Sequence, residues 1–291
     1  MDKIYVTGDI HGQTSDLYGC SAQEGDYVIV LGDCGIPFGY SNPNFKTAQF
    51  ERDCEFLRKQ PFNIIFIGGN HDDYDYIETL PRITAFSNDN VRQMIYKSKY
   101  IPGRDFTLPN VYYIDAPGVY TIAGKRCLII PGADSHDIQD GILDANDPDL
   151  LDQINRMHKN WKFFFRIAHW TWWEQEKIDT DYIESNLDLL ATEKFDYIFT
   201  HECPTVYMRH MRCNYPVNNG EEMLQKIFDT LTFGYWFHGH MHQDVIYSHN
   251  IACLYYTLAD INKITALMDK YNGSPYLIDY WYLDGLSEEE D

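Results

Sequence analysis

Five short apolar runs each end in a glycine or tight turn that carries Asp, Asn or His. Ile4-Tyr5-Val6-Thr7 leads into Gly8-Asp9-Ile10-His11-Gly12, and Tyr27–Leu31 leads into Gly32-Asp33-Cys34-Gly35. Asn63–Ile67 leads into Gly68-Gly69-Asn70-His71-Asp72. Tyr197–Thr200 leads into His201-Glu202, and Tyr235–Phe237 into His238-Gly239-His240-Met241-His242. Glycine lets the backbone turn sharply and approach a bound group closely. The Asp-x-His and His-x-His spacings predict that both side chains of each pair lie near one point, because alternate residues of an extended segment share a face. Carboxylate and amide oxygens mixed with imidazole nitrogens make a metal site of intermediate softness. Such a set suits Mn, Fe, Zn, Co or Ni rather than Ca or Mg. Seven ligands of this kind exceed what one tetrahedral zinc takes and suit two ions that share a bridging carboxylate. One His-x-His pair would be an ordinary core or surface feature, but five such clusters at strand ends are not.

The elements that must position these groups follow from periodicity. Runs rich in Ile, Val, Phe and Tyr at 3–7, 27–31, 63–67, 195–200 and 233–237 read as strands, and 44–59, 180–193 and 220–231 read as amphipathic helices. Continuous apolar strands separated by helices predict sheets buried on both faces and largely parallel, with a ligand crevice at the carboxyl ends of the strands. The stretches 111–115, 118–122 and 126–131 read as a β-meander with Pro-Gly and Ala-Gly turns, and 244–248, 252–258, 263–267 and 275–282 as further strands. The expectation is an α/β protein with one domain over 1–286. It is a four-layer α-β-β-α sandwich of two mixed, largely parallel-cored sheets, with the metal site at the strand C-terminal ends. Residues 287–291 (Ser-Glu-Glu-Glu-Asp) read as a solvated acidic tail.

Composition narrows the partners. The 291 residues carry 23 Lys+Arg against 44 Asp+Glu, a formal charge of −21, which repels phosphate backbones and argues against long nucleic acid. A hydrophobic content of 44% with 15% aromatics excludes disorder. The longest apolar runs are too short to span a bilayer, and Met1-Asp2-Lys3-Ile4 enters a strand-like run without a basic n-region. The expected location is cytoplasmic, with no membrane partner. Seven cysteines, with no CxxC pair, argue against a disulfide framework or a zinc ribbon. The chain has no GxxxxGK[ST], GxGxxG after a strand, GxSxG or HExxH, so nucleotide-driven, redox, serine-hydrolase and zincin chemistries are unsupported.

GDIHG at 8–12, GDCG at 32–35, GNHD at 69–72, His201 in THE and GHMH at 239–242 stand in one order. That order resembles the calcineurin-like metallophosphoesterases, whose motifs run GD-x-H, GD, GNH, H and GH-x-H. GADSHDIQDGILD at 132–144 and the Arg166…His169…Trp172-Trp173-Glu174 segment look like a bacterial subgroup of that family. The resemblance implies one metal held by Asp9, His11 and His242, a second by Asn70, His201 and His240, and Asp33 bridging them. It implies two divalent or trivalent transition-metal ions, most readily Mn, Fe or Zn, with a bridging water or hydroxide as nucleophile. His71 resembles the family's general acid, and Asp72 or another carboxylate is expected to hold its imidazole in the useful tautomer.

The chain departs from the family's protein phosphatases at the second motif. They read GD-x-x-DRG, whereas Gly32-Asp33-Cys34-Gly35-Ile36-Pro37-Phe38-Gly39 has no such arginine. The phosphate clamp then falls to Arg104, Arg166 or Arg209. Arg166 is favoured because it follows Phe163-Phe164-Phe165, where an unpaired charge would be costly. Asp134, Ser135, His136 and Asp137 read either as groups behind the metals or as a polar turn. Trp170, Trp172 and Trp173 read as a pocket wall or as core. His169 reads as a substrate contact or a satisfied buried residue, His158, His210 and His249 as surface, and His238 as the strand end. The expected activity is hydrolysis of phosphate mono- or diesters on a phosphorylated small molecule, nucleotide or phosphoprotein. The alternatives are a small nuclease or cyclic-nucleotide phosphodiesterase, and a catalytically silent metal-binding scaffold.

Overall fold

The computed structural model describes residues 2–99, 101, 103–208, 216–248, 250–270 and 276–278. Its first half contains β1 (Ile4–Thr7), β2 (Tyr27–Val30), α1 (Thr47–Leu57), β3 (Asn63–Ile67), α2 (Tyr74–Ile77), β4 (Arg82–Ala85), β5 (Asn88–Tyr96) and β6 (Phe106–Ile114). The chain continues through β7 (Gly118–Ile122), β8 (Lys125–Ile130), β9 (Gly141–Leu143), α3 (Leu150–Lys159), β10 (Phe165–Ile167) and α4 (Thr180–Leu190). It ends with β11 (Lys194–Thr200), α5 (Thr205–Met208), α6 (Asn219–Thr230), β12 (Thr232–His238), β13 (Val245–Ser248), β14 (Ile251–Cys253), β15 (Ala259–Asp260), α7 (Ile261–Lys270) and β16 (Tyr276–Leu277).

Two seven-stranded sheets have the orders β15-β1-β2-β3-β6-β5-β4 and β16-β13-β14-β12-β11-β8-β7. In the first, β1, β2, β3 and β6 are parallel and the flanking strands antiparallel. In the second, β8, β11, β12 and β14 are parallel, again with antiparallel edges. Strand side chains alternate between two apolar environments, as period-2 geometry requires. Ile29, Leu31, Ile65 and Ile67 of one sheet meet Ile129, Phe199 and Phe237 of the other in a central layer. Val28, Val30, Ile64 and Phe66 face outward onto Phe50, Cys54 and Leu57 of α1. Ile198 and Trp236 face outward onto Ile183 of α4 and Leu224 and Ile227 of α6. Each such side chain, fully buried, contributes roughly 1.5–3 kcal/mol. The result is the expected α-β-β-α sandwich. Among the described residues no helix is long and apolar enough to cross a membrane.

Three expectations need correction. The 111–131 stretch is not a three-stranded meander. β6 pairs with β3 and β5 of the first sheet, while β7 and β8 form a hairpin of the second. Asp115-Ala116-Pro117 carries the chain between sheets, and Asp115 is anchored there by Arg92 at 2.7 Å. The run 263–267 lies inside α7, because Ile261, Ile264, Thr265 and Met268 repeat with helical spacing and bury one face. A short apolar run does not by itself distinguish strand from buried helix. The expected strand 252–258 is confined to Ile251–Cys253. Of 275–282, Tyr276–Leu277 is a strand, and residues 275, 279–282 and the acidic 287–291 lie outside the described residues.

Candidate metal centre

β1, β2 and β3 are neighbours in one sheet and β11 and β12 in the other, so their carboxyl ends deliver all five motifs to one edge of the sandwich. Backbone hydrogen bonds tie the loops together: Gly239 N donates to His201 O at 3.1 Å within the second sheet, and Gly132 N donates to Gly68 O at 2.8 Å across the two sheets. The His240 N–H donates to Asp9 Oδ1 at 2.9 Å, joining the first motif to the last.

Two groups of donor atoms form there. Asp9 Oδ2 lies 3.2 Å from His242 Nε2 and 3.8 Å from His11 Nε2, and the two imidazole tips face each other at 3.0 Å. The second group gathers around His201, whose Nε2 lies 3.1 Å from Asp33 Oδ1 and 3.2 Å from Asn70 Oδ1. The His240 ring stands 4.8 Å from that of His201. Asp33 faces both groups, with Oδ1 toward His201 and Oδ2 3.9 Å from His11 Nε2. His240 and His242 therefore serve different groups. His11, Asp33, His240 and His242 all have positive φ, between 43° and 65°. The pairs thus lie in tight left-handed turns, not in the extended backbone that the alternate-residue argument assumed. Such strained backbone is held only where surroundings over-determine it, and it clusters at functional sites.

The donor set fits transition-metal ions. Asp9 Oδ2 is buried and accepts no hydrogen bond. Ring nitrogens and carboxylate oxygens converge on shared points, as they do around a common cation. Three side chains each from Asp9, His11, His242 and from Asp33, His201, His240 offer one ligand atom apiece within 4.8 Å of one another.

Residues 2–244 match the model of the calcineurin-like phosphoesterase family. The chain belongs to that family. It is therefore a metal-dependent phosphoric ester hydrolase whose substrate carries a phosphoryl group. No curated protein matches the chain significantly.

In this phosphoesterase, glycines of the motifs make room for the candidate ligands. Gly32 has φ +98°, and a Cβ there would lie 2.1 Å from His201 Nδ1. A Cβ at Gly69 would lie 2.3 Å from Asp33 Oδ1. Burial alone would lower the His201 imidazole, but Asp33 and Asp9 push it up to about 10 without metal. Burial would raise the Asp33 carboxyl, yet His201 holds it well below the carboxylate range. A cation held by the cluster would take over that role of the imidazolium proton.

His71 lines the same cavity as Asp33, Asn70 and Arg166. Its backbone N–H donates to Asp33 Oδ1 at 2.7 Å, and its Nε2 is 2.7 Å from an Arg166 guanidinium nitrogen. A guanidinium only donates, so the His71 proton sits on Nδ1 in this geometry. Burial, reinforced by Arg166 although opposed by Asp33, pushes this imidazole down to about 4. The Asp72 carboxylate is turned to the loops, accepting from Gly35 N at 2.9 Å and Gly69 N at 2.8 Å. Burial and then Asp33 raise its pKa.

Arg166 is 4% exposed. It donates through Nη1 to Asn70 O and Thr171 O at 2.9 and 3.2 Å, and its Nε is ion-paired with Asp137 Oδ1 at 2.7 Å. Arg104 is instead half exposed and paired with Glu51, and Arg209 lies outside the described residues. Ser135 accepts from Asn70 Nδ2 at 3.3 Å, and His136 packs 5.2 Å from the His240 ring, so both stand behind candidate ligands. The tryptophans split: Trp173 is core, Trp172 lies under Lys177, and Trp170 lines a neighbouring cavity. His169 is exposed and paired with Asp75 at 2.9 Å. His158 is exposed and stacks on Phe163, His238 stacks on Tyr247 at the strand end, and His210 and His249 lie outside the described residues.

Two carboxylates escaped the sequence reading. Glu202 is fully buried with Oε2 3.5 Å from His240 Nε2 and 3.8 Å from His136 Nε2. Burial would raise it, but His240, His136 and the Cys203 N–H hold it down at about 2. Its only signal was adjacency to His201. Glu176 is fully buried and accepts from Ser135 and Trp173 N, and burial pushes it up to about 8. Nothing in the local sequence of Glu176 announces that role.

Proposed function

We propose that the chain is a binuclear phosphoesterase, with Asp9, His11 and His242 holding one ion and Asn70, His201 and His240 the other. Asp33 bridges. The observation that carries this reading is the Asp33 carboxylate, whose two oxygens face two separate donor groups. Ions bound there, most readily Mn, Fe or Zn, would supply positive charge for the phosphoryl oxygens and a nucleophile at neutral pH. Asn70 contributes a neutral oxygen, which keeps the ligand set from cancelling that charge.

His71 and Arg166 work as a pair. To protonate the leaving oxygen, His71 needs a second proton, which the Arg166 donor on Nε2 opposes. An incoming phosphoryl group draws the Arg166 Nη2 donors to its oxygens, because charge-assisted bonds to phosphate are stronger than a bond to neutral imidazole. Nε2 is thereby released, and the anion beside it favours the imidazolium. Arg166 thus orients Asn70 and His71 at rest and binds phosphate during the reaction. Asp72 holds the Gly35 and Gly69 loops together, which positions Asp33 and Asn70.

The test is hydrolysis of p-nitrophenyl phosphate and bis-p-nitrophenyl phosphate by protein stripped of metal and reloaded with Mn²⁺, with Asp33→Asn as the blank. Turnover above the blank with two ions per chain is expected. Full metal occupancy with no turnover of either ester would sink the reading in favour of a silent scaffold.

A further inference from the structure

A second cavity of about 350 Å³ adjoins the metal centre and has the size of a small-ligand site. Its lining includes His11, Phe38, Phe45 and Trp170. The two spaces are neighbours: Phe38 of this cavity has its ring centroid 5.5 Å from that of His71, and His11 of this cavity has its ring 5.0 Å from that of His71. A leaving group that takes its proton from His71 thus has this cavity beside it. Inside is Asp53, 6% exposed, whose Oδ1 accepts from Gln49 at 2.9 Å and Thr14 at 3.3 Å. No described residue donates to Oδ2, so that oxygen is left for a ligand N–H.

We propose that this cavity binds the base of a mononucleotide, whose phosphate ester bond then lies over the metal ligands. The inference rests on the phosphoesterase reading of the neighbouring centre. Aromatic rings stack on any nucleobase, and a buried carboxylate accepts from the exocyclic or ring N–H groups of adenine, guanine or cytosine. Rings with a carboxylate also suit a quaternary ammonium group. Lys46 on the same wall opposes a permanent cation, and the volume exceeds what a trimethylammonium group fills. The reaction breaks the phosphorus–oxygen bond to the nucleoside and forms one to water's oxygen. The nucleoside leaves as an alcohol carrying the proton given by His71.

The experiment is binding of free nucleosides to the Mn²⁺-loaded protein, followed by quenching of tryptophan fluorescence and by calorimetry. Adenosine, guanosine or cytidine should bind, and Trp170→Ala and Asp53→Asn should each weaken binding at least tenfold. Trp170→Phe should restore most of it by keeping a stacking face, which controls for misfolding. In wild type, kcat/KM for the preferred mononucleotide should exceed that for glycerol 2-phosphate at least tenfold, and Trp170→Ala should shrink that ratio. No nucleoside binding by the folded protein, equal use of glycerol 2-phosphate, or a preference for phosphocholine would each overturn the proposal. Loss of p-nitrophenyl phosphate hydrolysis would instead indict the phosphoesterase reading, and the nucleoside titration does not depend on it.

Discussion

The His201 imidazole occupies the space that a side chain on Gly32 would need. A Cβ at Gly32 would lie 2.1 Å from Nδ1 and 2.8 Å from the His201 Cβ. That Nδ1 lies 2.7 Å from the Leu31 carbonyl oxygen, which fixes the proton on Nδ1 and leaves Nε2 to face Asp33 and Asn70. The glycine of the second motif thus sets the ring of the fourth, across the interface between the two sheets.

Gly32→Ala should therefore displace His201 and lose one of the two ions, with an added cost of roughly 1–3 kcal/mol for the strained φ. Metal analysis and thermal unfolding would show it. In a His201→Gly background the same change should cost much less, since the ring and the Cβ that a Gly32 side chain would meet are both gone and the two effects are not additive. Two ions bound per chain at wild-type affinity in Gly32→Ala would refute this coupling.

His71→Ala should keep both ions but lose about 10²–10⁴-fold in kcat on alkyl phosphates, the usual contribution of a positioned proton donor. The loss should be much smaller on p-nitrophenyl phosphate, whose leaving group needs little protonation. Arg166→Lys should also lower kcat/KM, because one ammonium cannot reach Asn70 O, Thr171 O, Asp137 and His71 together. Equal losses of His71→Ala on both kinds of ester would argue that His71 acts on something other than the leaving group.

Glu202→Ala should weaken metal binding by about 10–100-fold, the typical effect of removing a carboxylate that orients a ligating histidine. Glu202→Gln keeps an acceptor for Cys203 N and should fall between that variant and wild type. A Mn²⁺ titration of the three proteins decides the matter. Unchanged affinity in Glu202→Ala would mean that the carboxylate only fills space behind His240.

Glu176 gives a pH signature. Its folded pKa, raised by burial to about 8, stands above the ordinary 4.5, so the folded state holds a proton that the unfolded state releases. Its stabilising contribution is full below about pH 4.5 and declines as pH rises toward 8. Urea unfolding should accordingly show wild type losing stability between pH 5 and 8 relative to Glu176→Gln, which has no proton to lose. Parallel pH profiles for the two proteins would contradict a protonated Glu176.

The strands that carry the five motifs were readable because both their faces are buried, which leaves uninterrupted apolar runs ending in glycine. Helices α1, α4 and α6 were readable from their spacing. Several outlying elements were not. β4, β5, β9 and β10 mix polar and apolar residues without clean alternation, and α7 hid behind an apolar run short enough to be a strand. The switch of the chain from one sheet to the other after β6 depends on which strand offers a free edge, and that is a non-local matter.

By itself the sequence determined the types of the candidate ligands, their order and their attachment to strand ends, because oxygen and imidazole donors beside glycine turns have few other uses at that spacing. Only the tertiary structure decided the geometry. It placed His240 and His242 in separate groups by curling their loop through positive φ, and turned Asp72 to the backbone of two glycines. It also brought Arg166 onto His71 from 95 residues away. Glu176, Glu202 and the cavity beside Phe38 became visible only there. Burial and close approach between distant segments give these residues their chemistry, and neither is written in the neighbours along the chain.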